Sequence, residues 1–216
     1  MTIETETTIQ LDPEAPAQAR PKRVGMISLG CPKNLVDTEI ILGELRDKGF
    51  EVVNDVDDAD AVVVNTCGFI DEAKEESVDT ILEMVARKDD EQGPKEVFVA
   101  GCMVNRYGKE LQAEIPEIDG FIGLDDLQKA PELITLGSGV APDQSAAHIV
   151  FDHQAPRLLT TQGHAYLKVA EGCNNPCTFC AIPVWRGRFR SRTIDSLVEE
   201  ARRLEDQGVQ EINLLA

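Results

Sequence analysis

Along the first two thirds of the chain, short unbroken apolar runs alternate with longer stretches in which apolar residues recur every three or four positions. The runs are Arg23-Val24-Gly25-Met26-Ile27-Ser28-Leu29-Gly30, residues 50–53, Ala61-Val62-Val63-Val64-Asn65-Thr66, Glu96-Val97-Phe98-Val99-Ala100-Gly101 and Phe121-Ile122-Gly123. The third is continuous and β-branched, the mark of a strand covered on both faces. The periodic stretches predict helices. One covers 34–48, with Leu35, Ile41, Leu42 and Leu45 inward and Gly49 as its stop; a second places Val78, Ile81, Leu82 and Val85 on one face. Shorter ones follow at 106–113 and about 125–136. Strands alternating with helices at this pitch predict an α/β fold, a doubly wound parallel sheet over residues 22–136.

Residues 1–21 are acidic, contain Thr and Pro and lack an apolar run, so they read as a disordered tail and not as a signal peptide. Residues 137–163 read as a linker of small and polar residues with Pro142 and Pro156. His148, His153 and His164 lie in or beside it and read as surface residues of a connector, with outer-shell ligation as the alternative. Beyond it, a strand at 165–170, a helix capped by Thr193 with Ile194, Leu197, Val198, Ala201 and Leu204 on one face, and a strand at 209–215 make one βαβ unit.

The loop of that unit carries Cys173-Asn174-Asn175-Pro176-Cys177-Thr178-Phe179-Cys180. Three thiolates on one loop can hold three corners of a [4Fe-4S] cubane and leave the fourth iron open to another molecule. A structural zinc site wants four closed ligands, and no fourth Cys or His follows within the loop. Three thiols this close cannot all pair as disulfides. Zinc or incidental thiols remain the alternatives.

The other three cysteines, Cys31, Cys67 and Cys102, each follow one of the strongest predicted strands at spacings of 36 and 35 residues. In an open parallel sheet all strand carboxyl ends emerge on one edge, where ligands gather. Three thiols from three loops can therefore converge on a second metal cluster, and Gly30, Gly68 and Gly101 beside them would let backbone approach a bulky group. Buried or redox-paired thiols are the competing reading.

CxxxCxxC with an aromatic just before its last Cys, after a strand opening a domain, resembles the signature of the radical S-adenosylmethionine (SAM) enzymes. The resemblance implies Cys173, Cys177 and Cys180 as ligands of a SAM-binding cluster, with Phe179 beside the cofactor. Ser28-Leu29-Gly30-Cys31-Pro32-Lys33-Asn34-Leu35-Val36-Asp37, Asn65-Thr66-Cys67-Gly68-Phe69 and Ala100-Gly101-Cys102 are similar to the amino-terminal domain of the methylthiotransferases, radical-SAM enzymes with an auxiliary cluster, here on Cys31, Cys67 and Cys102. What is implied is two [4Fe-4S] clusters, SAM, and a methylthio group placed on the β-carbon of an aspartate in a small-subunit ribosomal protein. The Cys-Pro-Lys-Asn-Leu-Val-Asp run points to that branch; methylthiolation of tRNA adenosine is the alternative. An electron donor such as a flavodoxin is implied as partner. Radical-SAM domains of the family are partial α/β barrels much longer than residues 164–216, so this chain is expected to be an amino-terminal fragment, inactive alone. No side-chain acid or base stands out, and no catalytic residue is assigned.

Charge refines the picture. Residues 164–216 carry seven Lys+Arg and seven Asp+Glu, so the net −18 resides in residues 1–163, as 14 basic against 32 acidic. Such a surface repels phosphate backbones and attracts a basic protein partner. No apolar stretch approaches a membrane span, and free thiols with a metal role fit a reducing cytoplasm. Two other classes stay open: an iron-sulfur electron-transfer module and a zinc-bearing interaction protein. Arg186, Arg188, Arg190 and Arg192 stand at every second position, facing one side if extended. They suit either the SAM carboxylate or substrate, or a structural stripe.

Overall fold

The computed structural model describes residues 20–137, 141 and 146–216. Residues 1–19 of the expected 1–21 tail and part of the linker lie outside these residues, while Arg20 pairs with Asp60 at 2.7 Å. Five parallel strands, β1 (Arg23–Ser28), β2 (Glu51–Val53), β3 (Ala61–Thr66), β4 (Glu96–Gly101) and β5 (Gly120–Ile122), form one sheet in the order β2-β1-β3-β4-β5. Every residue of β3 is buried, as its β-branched run requires of a central strand. Helices α1 (Pro32–Asp47) and α4 (Ala130–Leu136) enclose a core on one face around Val63, Phe98, Ile41 and Leu45. On the other face, α2 (Asp71–Ala86) and α3 (Cys102–Glu114) close over Val62, Val64, Val97 and Val99. This is the doubly wound sheet that the pattern predicts. Its strand order places the switch point between β1 and β3, where connections depart to opposite faces.

Beyond the linker, β6 (His164–Lys168) pairs in parallel with β9 (Glu211–Leu215), and β7 (Ala170–Glu171) pairs antiparallel with β8 (Arg190–Ser191). The short α5 (Ile182–Trp185) and the longer α6 (Ile194–Asp206) complete this part. Thr193 caps α6 as expected, its hydroxyl accepting from the Ser196 amide at 3.3 Å.

Several helix faces differ from the periodic expectation, each for a packing reason. Tyr166 and Leu215 of the second part pack against the core around α1, so α1 is buried all round, and Asp37, Thr38, Glu39 and Glu44 are buried with its apolar side. The inward face of α2 is Ser77, Ile81 and Met84, while Leu82 is exposed. Helix α3 starts at Cys102, four residues before the expected start, because β4 turns directly into it through Gly101. In α6 the buried residues are Ser196, Glu200 and Leu204, while Ile194 and Val198 are exposed. Glu200 is drawn inward by Arg157 and Arg192, each at 2.5 Å.

The described linker residues lie directly on α1. A Cβ at Gly43 would stand 2.5 Å from the Pro156 carbonyl oxygen. Leu158 donates its amide to the Glu39 carbonyl at 2.9 Å, and Arg157 bridges Glu39 and Glu200 at 2.5 Å each. None of the three linker histidines joins a cysteine: His148 is exposed, His153 meets the Ser196 hydroxyl at 3.2 Å, and His164 lies edge-on to Tyr166.

Candidate metal centre

Cys31, Cys67 and Cys102 follow β1, β3 and β4, so the parallel sheet delivers all three to its carboxyl edge, the first two flanking the switch point. Their loops touch. At Gly30 (φ +91°) a Cβ would lie 2.8 Å from the Cys67 Cβ and 3.3 Å from its sulfur; at Gly101 (φ +95°) one would lie 2.2 Å from the Asn65 Oδ1. A Cβ at Gly68 would in turn lie 3.2 Å from the Met103 Cα. Both positive-φ glycines thus permit backbone conformations and close approaches that a side chain would block. Cys31 is exposed, whereas Cys67 and Cys102 are buried.

Asn34 ties this edge together. Its Nδ2 donates to the Leu29 carbonyl at 3.2 Å and the Thr66 carbonyl at 2.8 Å, and its Oδ1 accepts from the Cys102 thiol at 3.4 Å. Burial pushes the Cys102 thiol up to about 11, with the Arg186 guanidinium beside it pulling the other way. Trp185 packs against Cys102, Leu124 and Ala147. Its Nε1 is among the buried polar atoms with no hydrogen-bond partner, and Arg106 stacks 4.7 Å over its ring.

The second cysteine loop leaves β7 through Gly172 (φ +74°), where a Cβ would meet the Arg188 carbonyl oxygen at 2.3 Å. The Cys173 amide donates to the Gly187 carbonyl at 3.0 Å and the Cys180 amide to the Cys177 carbonyl at 3.2 Å. The Asn175 amide points at the Cys173 sulfur at 3.4 Å. Cys177 is exposed, Cys173 and Cys180 are half-buried, and Phe179 is 87% exposed. Phe179 thus presents its ring outward beside the thiols.

Between the two cysteine sets lies a buried charge cluster. Arg186 Nη2 donates to Asn34 Oδ1 and Asp37 Oδ2, both at 2.8 Å, and Nη1 donates to Glu171 Oε1 at 3.0 Å and Oε2 at 3.2 Å. Lys168 Nζ donates to Asp37 Oδ1 at 2.5 Å and Glu171 Oε1 at 2.7 Å. Lys33, two residues after Cys31, donates to the Ala170 carbonyl at 3.0 Å and lies 3.6 Å from Glu171. Burial alone would raise the Glu171 carboxyl, but Lys168, Arg186 and Lys33 outweigh it and hold it well below the usual carboxylate range. Burial opposes the charge on Lys168 as well, and Asp37 and Glu171 overcome it, raising the ammonium.

The arginine stripe therefore divides. Arg186 and Arg192 are buried in ion pairs with Asp37, Glu171 and Glu200; Arg190 donates to the Arg186 and Arg188 carbonyls, and Arg188 is exposed. The segment is not one extended face, because α5 precedes it and Gly187 (φ +73°) turns the chain. Asn34, Asp37, Lys168 and Glu171 carry no motif of their own. The signal available was that Asn34 and Asp37 belong to the Cys-Pro-Lys-Asn-Leu-Val-Asp run and that Lys168 and Glu171 are charged residues in an otherwise apolar strand region.

Among the described residues, no group of three or more His, Cys, Asp or Glu side chains is disposed around a single ion. The donor sets are thiols without histidine, the soft ligands that suit iron-sulfur clusters, and each set numbers three. The nearby carboxylates Asp37 and Glu171 are already engaged by cations. On donor chemistry and on the glycine-lined approach, the residues fit such a group. No helix among the described residues is long and apolar enough to cross a membrane.

Two family models match the chain. Residues 23–123 match the model described as Uncharacterized protein family UPF0004, and residues 167–216 match that of the Radical SAM superfamily. The chain is 50% identical over 195 residues to the Ribosomal protein uS12 methylthiotransferase RimO of Solibacter usitatus, covering 89% of this chain and 41% of that protein. It is 49% identical over 210 residues to the protein of the same name from Symbiobacterium thermophilum, covering 94% and 42%. The like-named protein of Myxococcus xanthus is 47% identical over 201 residues, covering 91% and 41%. The chain spans about two fifths of the length of these curated relatives. With an α/β sheet matching the first model, a CxxxCxxC loop inside the second and such identity across both, the chain belongs to the radical-SAM methylthiotransferase family.

Proposed function

We propose that this chain supplies the two cluster-bearing parts of a methylthiotransferase that modifies the β-carbon of an aspartate in ribosomal protein uS12. The observation that carries the reading is one buried interface between the two segments that bear the cysteine sets, where Lys33, Asn34 and Asp37 of the first contact Ala170, Glu171 and Arg186 of the second. The relatives' names support the substrate, and the acidic excess of residues 1–163 favours a basic protein partner over a nucleic-acid backbone.

In this reading Cys173, Cys177 and Cys180 hold a [4Fe-4S] cluster with one iron left for SAM, and Cys31, Cys67 and Cys102 hold an auxiliary [4Fe-4S] cluster. When bound, the first with SAM supplies a carbon radical able to abstract hydrogen from an unactivated C–H bond, and the second supplies the sulfur, chemistry that side chains cannot perform. The chain's own residues position and enclose. Gly30 and Gly101 admit close backbone approach, Asn34 orients the Cys102 thiol, and Trp185 packs against Cys102. Phe179, exposed next to Cys180, would be free to contact the cofactor. A reduced cytoplasmic setting and an electron donor such as a flavodoxin complete the proposal. Segments beyond this chain would provide much of the substrate contact, so turnover by residues 1–216 alone is not expected.

Anaerobic reconstitution followed by iron and sulfide analysis tests the reading. About eight irons per chain, falling to about four when Cys173, Cys177 and Cys180 are changed to Ala, is the expected result. Four falling to none removes the auxiliary cluster, and stoichiometric zinc without iron overturns the proposal. In a chain extended to the relatives' length, a methylthio mass gain on uS12 and none on an anticodon-loop RNA is expected.

A further inference from the structure

The two thiol sets belong to parts of the chain joined by a long connection, and something must fix how far apart they stand. The buried cluster of Asp37, Lys168, Glu171 and Arg186 lies between them. It is tied to both sets: Glu171 is two residues before Cys173, Asp37 is on the helix that Cys31 precedes, and Asn34, a partner of Arg186, accepts from the Cys102 thiol. Arg186 touches all three anchors at once, Asn34 and Asp37 through one nitrogen and Glu171 through another.

We propose that Arg186 is a positioning residue that locks the Cys173–Cys180 loop against the segments carrying Cys31, Cys67 and Cys102 and so sets the separation of the two thiol sets. The proposal rests on the two-site reading above for its purpose, though not for its geometry. A guanidinium presents donors in a rigid planar fork, so its partners are held in direction as well as distance, which a lysine ammonium cannot do. Apolar surfaces of similar volume would stabilise such an interface as well or better. They would also let the two parts slide, whereas displacing Arg186 by even one hydrogen-bond length takes a charged donor from a buried carboxylate or amide. Chemistry passing between two sites is sensitive to separations on the scale of an ångström, which gives a rigid tie a use that stability alone does not.

The test uses the metal-free 216-residue chain, kept reduced and treated with a short bismaleimide, with links between the two cysteine sets mapped by peptide mass spectrometry and melting temperature measured in parallel. Arg186→Gln and Arg186→Lys are expected to lower the cross-loop links several-fold. Asp37→Asn with Arg186→Gln removes one charge of each sign; it is expected to recover much of the melting temperature without recovering the links, and it carries the comparison if Arg186→Gln does not fold. Glu200→Gln, which breaks the separate Arg157 and Arg192 pairs, is expected to lower the melting temperature and leave the links unchanged. Link yields that simply track melting temperature across the four variants, or that are unchanged in Arg186→Lys and in the double variant, overturn the proposal. Iron analysis judges the two-site reading independently: eight irons with indifferent cross-links sinks the positioning role alone, and tight cross-link dependence without iron sinks the cluster assignment alone.

Discussion

Arg186 donates to Asp37 at 2.8 Å across 149 positions of sequence, with the two side chains 3% and 1% exposed. Such a pair has no local cause. It exists because α1 is enclosed between the five-stranded sheet and the β6–β9 pair, bringing the residues after one cysteine against those after another. Removing Arg186 takes away one of the two buried cations that Asp37 and Glu171 share and leaves Lys168 to serve both, a loss that exceeds what the intact pair contributes. Arg186→Met is therefore expected to destabilise the chain by about 3–5 kcal/mol, read from urea unfolding of the metal-free protein.

Glu171 gives the same cluster an acid-side signature. Its carboxyl is held below its ordinary value of 4.5 by Lys168, Arg186 and Lys33 against the opposing effect of burial. A depressed carboxyl contributes stability that is fully present above the unfolded value and disappears as pH falls through the lower folded one. Melting temperature is expected to fall as the pH drops below about 4.5, and Glu171→Gln, already destabilised at neutral pH, should show a shallower fall over that window. An equally steep fall in both proteins would assign the acid sensitivity elsewhere.

At Gly101 the backbone adopts φ 95° and ψ −160°, a region essentially reserved for glycine, and an added Cβ would meet the Asn65 Oδ1 at 2.2 Å. Gly101→Ala is expected to cost roughly 1–3 kcal/mol from backbone strain alone, seen as a lower urea midpoint. Because the strain falls on the residue before Cys102, the variant should also bind fewer than eight irons while keeping about four.

Thiol burial sets an order of modification in the metal-free chain. Cys31 and Cys177 are exposed, Cys67 and Cys102 are buried, and burial holds the Cys102 thiol protonated up to about 11. Since the thiolate is the reactive form, iodoacetamide near neutral pH is expected to label Cys31 and Cys177 first and Cys102 last. Early labelling of Cys102, followed by peptide mass spectrometry, would mean that the packing around Cys102 opens without unfolding.

Gly43 is where the linker presses on α1, a Cβ there standing 2.5 Å from the Pro156 carbonyl oxygen and 2.8 Å from the Arg157 amide nitrogen. Gly43→Ala should displace the strap, at about 1–3 kcal/mol by the usual scale of overpacking. Limited proteolysis is expected to cut within residues 146–163 faster than in the parent chain.

Much of the fold was legible because its signals are short-range. Ala61–Thr66 announces a central strand through its own side chains, and Thr193 announces a helix start through a hydroxyl three residues from the amide it caps. The faces of α2 and α6 were less legible. Leu82 and Val198 satisfy helical periodicity yet remain exposed, because which stripe is buried depends on how much partner surface arrives, and β6–β9 offers two strands to α6. Glu200 occupies an inward position that periodicity would deny to a carboxylate, and it does so because Arg157 and Arg192 meet it there.

The sequence by itself determined the parallel α/β sheet, the placement of Cys31, Cys67 and Cys102 at strand ends, and the spacing of Cys173, Cys177 and Cys180 on one loop. Each follows from period, propensity or proximity along the chain, all of which act within a few residues. Only the tertiary structure decided that Arg186 leaves the arginine stripe to sit among Asn34, Asp37 and Glu171, that α1 is buried on every side, and that the linker lies on Gly43. Those outcomes depend on which surfaces meet after the strands have ordered. A buried charge must find its counter-charge wherever the topology has carried it, and nothing in the vicinity of Arg186 along the chain names Asp37 as that partner.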